Sequence, residues 1–138
     1  MSITLNFAVS LNYDTLNSGI TIPIRLYVGQ DEVAFSAKLD TGSSHCIFEG
    51  KHGERLGLNI ESGSPLFFST ATGRFLAYGH DLTLSVLGIE HFVTVYFIAE
   101  EGIQRNVLGR NGWLNLVQLG LIDYEGKLFL SPHCATAS

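Results

Sequence analysis

The sequence contains the run Ala37-Lys38-Leu39-Asp40-Thr41-Gly42-Ser43-Ser44, which lies between a β-rich segment, 32–39, and an apolar pair, Ile47-Phe48. Asp40 therefore stands where a predicted strand ends and the chain turns sharply. A hydroxyl residue follows the acid, and Gly42 allows another backbone segment to approach closely. Rigid backbone would hold the acid, and its own loop would supply hydrogen-bond donors. This arrangement is typical of a carboxylate that takes part in chemistry.

In a second run, a short apolar segment ends at a glycine and a possible helix start follows: Asn106-Val107-Leu108-Gly109-Arg110-Asn111-Gly112-Trp113-Leu114. Asp-Thr-Gly alone is a weak motif, because three common residues recur by chance. In this order and separation, however, the two runs together resemble an aspartic protease of the retropepsin type. The resemblance is to single-lobe, retroviral-like enzymes and their bacterial relatives. It covers most of the chain, from the first β-rich run to Leu130.

The composition predicts a single domain spanning residues 1–138. Hydrophobic residues make up 46% of the chain and charged residues only 15%. Such a lean polar surface indicates that a partner covers some apolar surface. The net charge of −5, without a basic cluster, argues against a nucleic-acid partner.

Cys46 and Cys134 lack the spacing of a metal site and are weak support for a disulfide. Free thiols in a reducing cytosol are the simpler interpretation, so we expect a cytoplasmic protein with no metal and no cofactor. The N-terminus has no signal-peptide pattern, and no apolar run is long enough to span a membrane, so no membrane partner is expected. Met1 and the complete β pattern favour a free-standing chain over a domain cut from a polyprotein.

Short apolar runs separated by turn signals predict an all-β fold, a small closed barrel. The predicted strands are 3–7, 20–28, 32–39, 66–71, 75–78, 82–86, 92–98, 121–124 and 127–130. Helical patterns are short: Glu49–Leu58 is one candidate, and Arg110–Leu116, ended by Gly120, is the better one. Ser131–Ser138 is expected to be a loose tail.

The resemblance implies a retropepsin-like acid protease fold: a closed barrel with a flap hairpin and one short C-terminal helix. Thr72, Gly73 and Arg74 match the tip of the flap, which closes over an extended peptide substrate. The alternative is an ordinary solvent-exposed hairpin.

Peptide hydrolysis without a metal or a covalent intermediate needs two carboxyl groups close together, which share one proton because both cannot ionise cheaply. Asp40 is the only aspartate followed by Thr-Gly or Ser-Gly. A two-fold homodimer would place the same residue beside itself. The resemblance further implies that the chain ends, Ile3–Phe7 and Lys127–Leu130, form the dimer interface.

Thr41, Gly42 and Ser43 would complete the active-site loop. By resemblance, Thr41 locks the two loops across the dimer axis, and Gly42 offers backbone groups to the substrate. We expect the Ser43 hydroxyl to donate a hydrogen bond to the ionised catalytic carboxylate and thereby to favour an acidic pH optimum.

The family pattern also places Gly109 and Arg110 against this loop as bracing residues. Retroviral enzymes commonly carry an acid at the position of Ser44, which pairs with the arginine that Arg110 matches. This chain has a serine there, so that ion pair cannot form in the usual way.

Lys38 departs from the family pattern, which usually has an apolar residue in this pocket position. On a strand it shares a face with Asp40. Either it reaches the substrate pocket, where it would favour acidic or polar side chains, or a bulge turns it to solvent.

Two functions from different classes follow from these patterns. The first is an aspartic endopeptidase whose two Asp40 residues hydrolyse an extended peptide. The second is a catalytically inactive module of the same fold that dimerises or binds peptides.

Overall fold

The computed structural model of the chain describes residues 1–133 and is dominated by β-strands. The ten strands are β1 Val9–Asn12, β2 Thr21–Val28, β3 Asp31–Leu39, β4 Ile47–Glu49, β5 Ser64–Thr70, β6 Gly73–Val86, β7 Ile89–Ile98, β8 Val107–Leu108, β9 Val117–Ile122 and β10 Lys127–Pro132. The all-β prediction is confirmed. Within residues 1–133, no helix has the length and apolar character needed to cross a membrane.

Seven strands form one sheet in the order β2-β3-β8-β4-β7-β6-β5. A further antiparallel pairing joins β2 to β6, with Ile24 opposite Val86 and Tyr27 opposite Thr83. Six strands therefore close into a ring, and β5 extends from it as one arm of a hairpin. Alternation along β2 fixes which side faces inward, because Ile22, Ile24 and Leu26 are buried between more exposed neighbours.

The remaining strands form a three-stranded sheet in the order β1-β10-β9. Leu128 and Leu130 of β10 are fully buried in the same apolar cluster as the barrel core, so the two sheets pack on each other. The predicted strand Ile3–Phe7 is wrong, since the first strand begins at Val9. The strand predicted at 121–124 begins earlier, at Val117, and ends at Ile122.

The one α-helix within residues 1–133, α1, spans Gly50–Arg55 and lies inside the first predicted helical piece. The prediction of a C-terminal helix at Arg110–Leu116 is wrong: only a 3-10 turn, Leu114–Leu116, forms there. Gly112 has a φ of 97°, which a right-handed helix cannot contain. Gly120, predicted to stop that helix, lies within β9 instead.

The end of the chain differs in part from the predicted loose tail. Ser131 and Pro132 belong to β10, where they pair with Gln118 and Val117. Residues 134–138, including Cys134, lie outside the described residues.

Both predicted hairpins after α1 are confirmed. β5 and β6 pair from Ser64 opposite Gly79 to Thr70 opposite Gly73, so Ala71 and Thr72 form the tip. β6 continues unbroken into the second hairpin with β7, which turns at Leu87 and Gly88.

Candidate active site

Asp40 follows directly on β3, and backbone hydrogen bonds fix its position. Its N–H donates to the Leu108 carbonyl at 3.0 Å. Its carboxylate Oδ1 accepts the Gly42 N–H, also at 3.0 Å. The side chain keeps 35% of its surface exposed. The acid is thus held on a rigid strand end and still reaches solvent.

The two motifs lie side by side because β3 and β8 pair in parallel, with Lys38 opposite Val107 and Leu39 opposite Leu108. Gly109 follows β8 and packs against the backbone of the Asp40 loop. A Cβ atom at Gly109 would overlap the carbonyl groups of His45 and Ser43. Glycine is therefore required at this position by the close approach of two backbone segments.

The loop is braced by backbone groups and one amide side chain. The Arg110 N–H donates to the Ser43 carbonyl at 2.9 Å. The Ser44 carbonyl accepts both the Asn111 N–H at 2.9 Å and the Asn111 Nδ2 group at 2.8 Å. The Arg110 side chain itself is exposed. Asn111 was missed at the sequence level, although it lies within the quoted second motif.

Ser43 is buried, and its hydroxyl donates to the His45 carbonyl at 2.8 Å. A hydroxyl has one proton to donate, so this bond excludes the predicted donation to Asp40. That prediction is wrong: the side chain of Ser43 stabilises its own turn.

Arg105 lies next to Asp40, with 3.8 Å between its Nη2 and the Asp40 Oδ2. Its side chain is 34% exposed, but its Nε is buried without a hydrogen-bond partner in residues 1–133. No sequence motif marks Arg105. The available signal was its position two residues before Val107, which pairs with Lys38.

Two cavities flank the Asp40 loop, and Arg105 lines both. The first, of about 490 Å³, is lined by Thr21, Ser36, Lys38, Asp40, Glu49, Lys51, Gln104, Arg105, Asn106 and Val107. The second, of about 360 Å³, lies between the loop and the β5–β6 hairpin and is lined by Gly42, Ser43, Ser44, His45, Ile47, Leu66, Phe67, Phe68, Ser69, Phe75 and Arg105. Lys38 lines the same cavity as Asp40 and is exposed to solvent, so it stays undecided between its two predicted positions.

The residues predicted at the flap tip lie at the far end of the β5–β6 hairpin. Thr72, Gly73 and Arg74 are all exposed. Gly73 has a φ of 148°, and the Arg74 guanidinium stacks on Phe67 at 4.3 Å from the ring centre. Thr41, on the Asp40 loop, is also exposed.

In the wall of the first cavity, hydrogen bonds between Glu49 and Asn106 connect β4 to the segment before β8. The Asn106 Oδ1 accepts the Glu49 N–H at 3.0 Å, and its Nδ2 donates to Glu49 Oε2 at 2.5 Å. His52 lies 3.8 Å from the same carboxylate and stacks on Phe35 with 3.7 Å between ring centres. Burial lowers the pKa of His52, an effect that the charge of Glu49 opposes.

Other reactive groups are poorly placed for chemistry. Cys46 is fully buried, and burial raises the pKa of its thiol to about 11, so it is protonated at neutral pH. Among residues 1–133, no three His, Cys, Asp or Glu side chains lie close enough together to hold a metal ion.

No protein-family model matches the chain, and no curated protein sequence does. Support for a function therefore comes from the two motifs and the geometry around Asp40.

Proposed function

We propose that the protein is an aspartic endopeptidase of retropepsin type that acts as a homodimer, with Asp40 of each chain in one active site. The observation that carries this proposal is the setting of Asp40. Its carboxylate stands at a strand end, accepts an N–H from its own loop and opens onto a cavity of about 490 Å³. Gly109 and the 43–45 backbone pack together beneath it.

In the proposed reaction the two Asp40 carboxyl groups share one proton, because two negative charges so close together are costly. The ionised group takes a proton from water, and the protonated group donates to the oxygen of the scissile carbonyl. The water attacks that carbonyl and gives a tetrahedral diol. The carboxyl group that took the proton from water then donates it to the peptide nitrogen, the other carboxylate takes a proton from the diol, and the C–N bond breaks without a covalent intermediate. No cofactor is needed for these steps.

The substrate would lie extended, as an added strand between the Asp40 loop and the β5–β6 hairpin. The cavity of about 360 Å³ between these two elements supports this position. Phe68 and Phe75 provide an apolar wall there, and Gly42 offers backbone groups. The end of this hairpin, where Ala71 and Thr72 form the turn and Gly73 and Arg74 begin β6, would act as the flap.

A second chain is required because one chain carries one suitable acid. Exposed apolar side chains support an interface near the chain ends: Ile3 is 84% exposed, Leu5 57% and Ile122 44%. Within residues 1–133, β9 pairs only with β10, so its other edge is open. β10 pairs on both sides, so Lys127–Leu130 is not an open edge, and β9 takes its place in the proposed interface.

We further propose a cytoplasmic location, with peptides or proteins as substrates and no nucleic-acid or membrane partner. The net charge of −5 supports the exclusion of nucleic acid. The protonated, buried Cys46 is compatible with a reducing compartment.

One observation favours the alternative, an inactive dimerising or peptide-binding module. Arg105 lies 3.8 Å from the Asp40 carboxylate and partly neutralises its charge. In a binding module this ion pair would be permanent. In the enzyme, the dyad or the substrate must draw the guanidinium away from Asp40.

The test is cleavage of a mixed peptide library with and without pepstatin. The enzyme hypothesis predicts pepstatin-sensitive cleavage that is lost in Asp40→Asn, which removes the acid–base pair and keeps the side-chain shape. Asp14→Asn is the matched control, because Asp14 caps the Leu16 N–H in an exposed loop and an amide oxygen can do the same. Equal cleavage by Asp40→Asn and Asp14→Asn would rule out Asp40 as the catalyst.

A further inference from the structure

We propose that the cavity beside Asp40 binds a carboxylate group of the substrate, and that Arg105 and Lys38 are its recognition residues. This inference rests on the proposed function and names the substrate class: peptides with an acidic group next to the scissile bond. The observation behind it is a concentration of positive charge in one cavity of an acidic protein.

The chain has 8 lysines and arginines and a net charge of −5. Three of these basic residues, Lys38, Lys51 and Arg105, line the same cavity of about 490 Å³. Basic side chains that gather in a cleft attract an anion to that cleft even when the whole molecule is negative.

Arg105 has unused hydrogen-bonding capacity. Its guanidinium carries five N–H donors, yet its Nε is buried without a partner among residues 1–133. The 3.8 Å between its Nη2 and Asp40 is too long for a hydrogen bond. Because the side chain as a whole is 34% exposed, a carboxylate in the cavity would bind the terminal nitrogens of the guanidinium and not the buried Nε.

Lys38 is free to take part in the same site. Within the described residues it forms no ion pair, and its aliphatic stem lies beside Gly19. Gly19 leaves room for that stem, since a Cβ there would lie 3.1 Å from the Lys38 Cδ. Lys38 is an exposed residue and lines the cavity that Asp40 also lines.

The acids of the cavity do not cancel these charges. Glu49 is occupied by Asn106, by Lys51 at 3.8 Å and by His52 at 3.8 Å. Asp40 shares a proton with its partner in the proposed dyad. The dyad then keeps one negative charge between the two chains, so the positive charges of Arg105 and Lys38 are only partly compensated, and an anionic ligand improves the balance.

Geometry places the bound carboxylate close to the reacting bond. Arg105 neighbours the Asp40 carboxylate, and Lys38 stands two residues before it on the same strand face, about 7 Å away along the strand. The group recognised is therefore within a residue or two of the scissile bond. It is either a glutamate or aspartate side chain or the free C-terminal carboxylate of a short peptide.

Binding to the Asp40→Asn variant tests the proposal without turnover. The probes are two pools of fluorescent peptides that differ only in a central Glu or Gln, each made with a free and with an amidated C-terminus. We expect the Glu pool, or the free C-terminus, to bind at least about tenfold more tightly than its neutral counterpart. Arg105→Gln in the same background should reduce this ratio to about twofold or less, and Lys38→Gln should reduce it partly.

Arg25→Gln is the matched control, because it removes the same charge at a site away from the cavity. Arg25 pairs with Glu32 on the outer face of β2 and β3. The amidated peptides separate the two sources: a preference that survives amidation belongs to the side chain. Equal binding of charged and neutral peptides, or a ratio that Arg105→Gln leaves unchanged, overturns the inference. These outcomes do not depend on cleavage. If the wild-type protein shows no pepstatin-sensitive cleavage, the proposed function alone is overturned.

Discussion

The Ser43 hydroxyl acts within its own loop, since it donates to the His45 carbonyl from a buried position. Ser43→Ala removes the donor and leaves that carbonyl unsatisfied. We expect a loss of about 1–3 kcal/mol in the free energy of unfolding, measured by urea denaturation. We also expect an unchanged pH optimum of cleavage. Ser44→Ala, which alters an exposed hydroxyl, is the control. An upward shift of the optimum in Ser43→Ala would show that the hydroxyl does act on the carboxylate.

The lowered pKa of His52 makes the free energy of unfolding depend on pH. Burial lowers the pKa of this histidine below its usual 6.5, with Lys51 and Arg55 acting the same way and Glu49 opposing them. As the pH falls through 6.5, the unfolded chain gains a proton that the folded chain does not. The free energy of unfolding therefore falls with pH, down to the lowered pKa of the folded state.

His52→Phe retains the stacking on Phe35 and removes the titration. Denaturation between about pH 7 and pH 5 should show a weaker decline for this variant than for wild type. His133→Gln, at an exposed histidine, should leave the decline as it is in wild type. An identical pH dependence in His52→Phe and wild type would show that His52 titrates alike in both states.

Among individual residues, the sequence predicted those that belong to a recognisable motif. Asp40 and Gly109 stand in recognisable patterns, and Lys38 follows from strand alternation. Arg105 and Asn106 could not be predicted, because their contacts with Asp40 and Glu49 arise only when β8 pairs beside β3 and β4. The direction of the Ser43 hydroxyl depends on the turn geometry, which the sequence does not specify.

Among the elements, the β5–β6 hairpin can be tested by comparison with the β6–β7 hairpin. Gly73 and Gly88 both have positive φ, 148° and 84°, and a Cβ at either would meet nothing within 4 Å. Substitution by alanine should therefore cost about 1 kcal/mol of stability at each position, through backbone strain. Gly73→Ala should in addition slow peptide cleavage several-fold, because Gly73 lies at the proposed flap tip.

Thermal unfolding and cleavage rate per folded molecule separate the two effects. Gly88→Ala is the control, because it should lower the stability by a similar amount and leaves the flap unchanged. If both variants cleave peptides as fast as wild type, the β5–β6 hairpin does not close over substrate.

Short apolar runs bounded by turn signals predicted most strands, including β2, β3 and β7. The two strands predicted at 75–78 and 82–86 are parts of one continuous strand, β6. The helix predicted at Arg110–Leu116 failed for a tertiary reason. The N–H groups of Arg110 and Asn111 are held by the Asp40 loop, and Gly112 has a left-handed conformation. Local apolar spacing cannot report either constraint.

For the whole molecule, one group of exposed apolar side chains lies on the segment 1–7 and at the end of β9, while Phe67 and Phe92 are exposed on the seven-stranded sheet. The single suitable acid and the first of these groups are independent reasons to propose a dimer. We therefore propose that the active site forms only where two Asp40 loops meet.

Mixing wild-type and Asp40→Asn chains at a constant total concentration tests that claim most directly. After subunit exchange, cleavage should follow the square of the wild-type fraction, so an equal mixture keeps about a quarter of the wild-type rate, since only dimers with two acids are active. A site complete within one chain would keep about half of that rate. A linear dependence of cleavage on the wild-type fraction would contradict the shared active site.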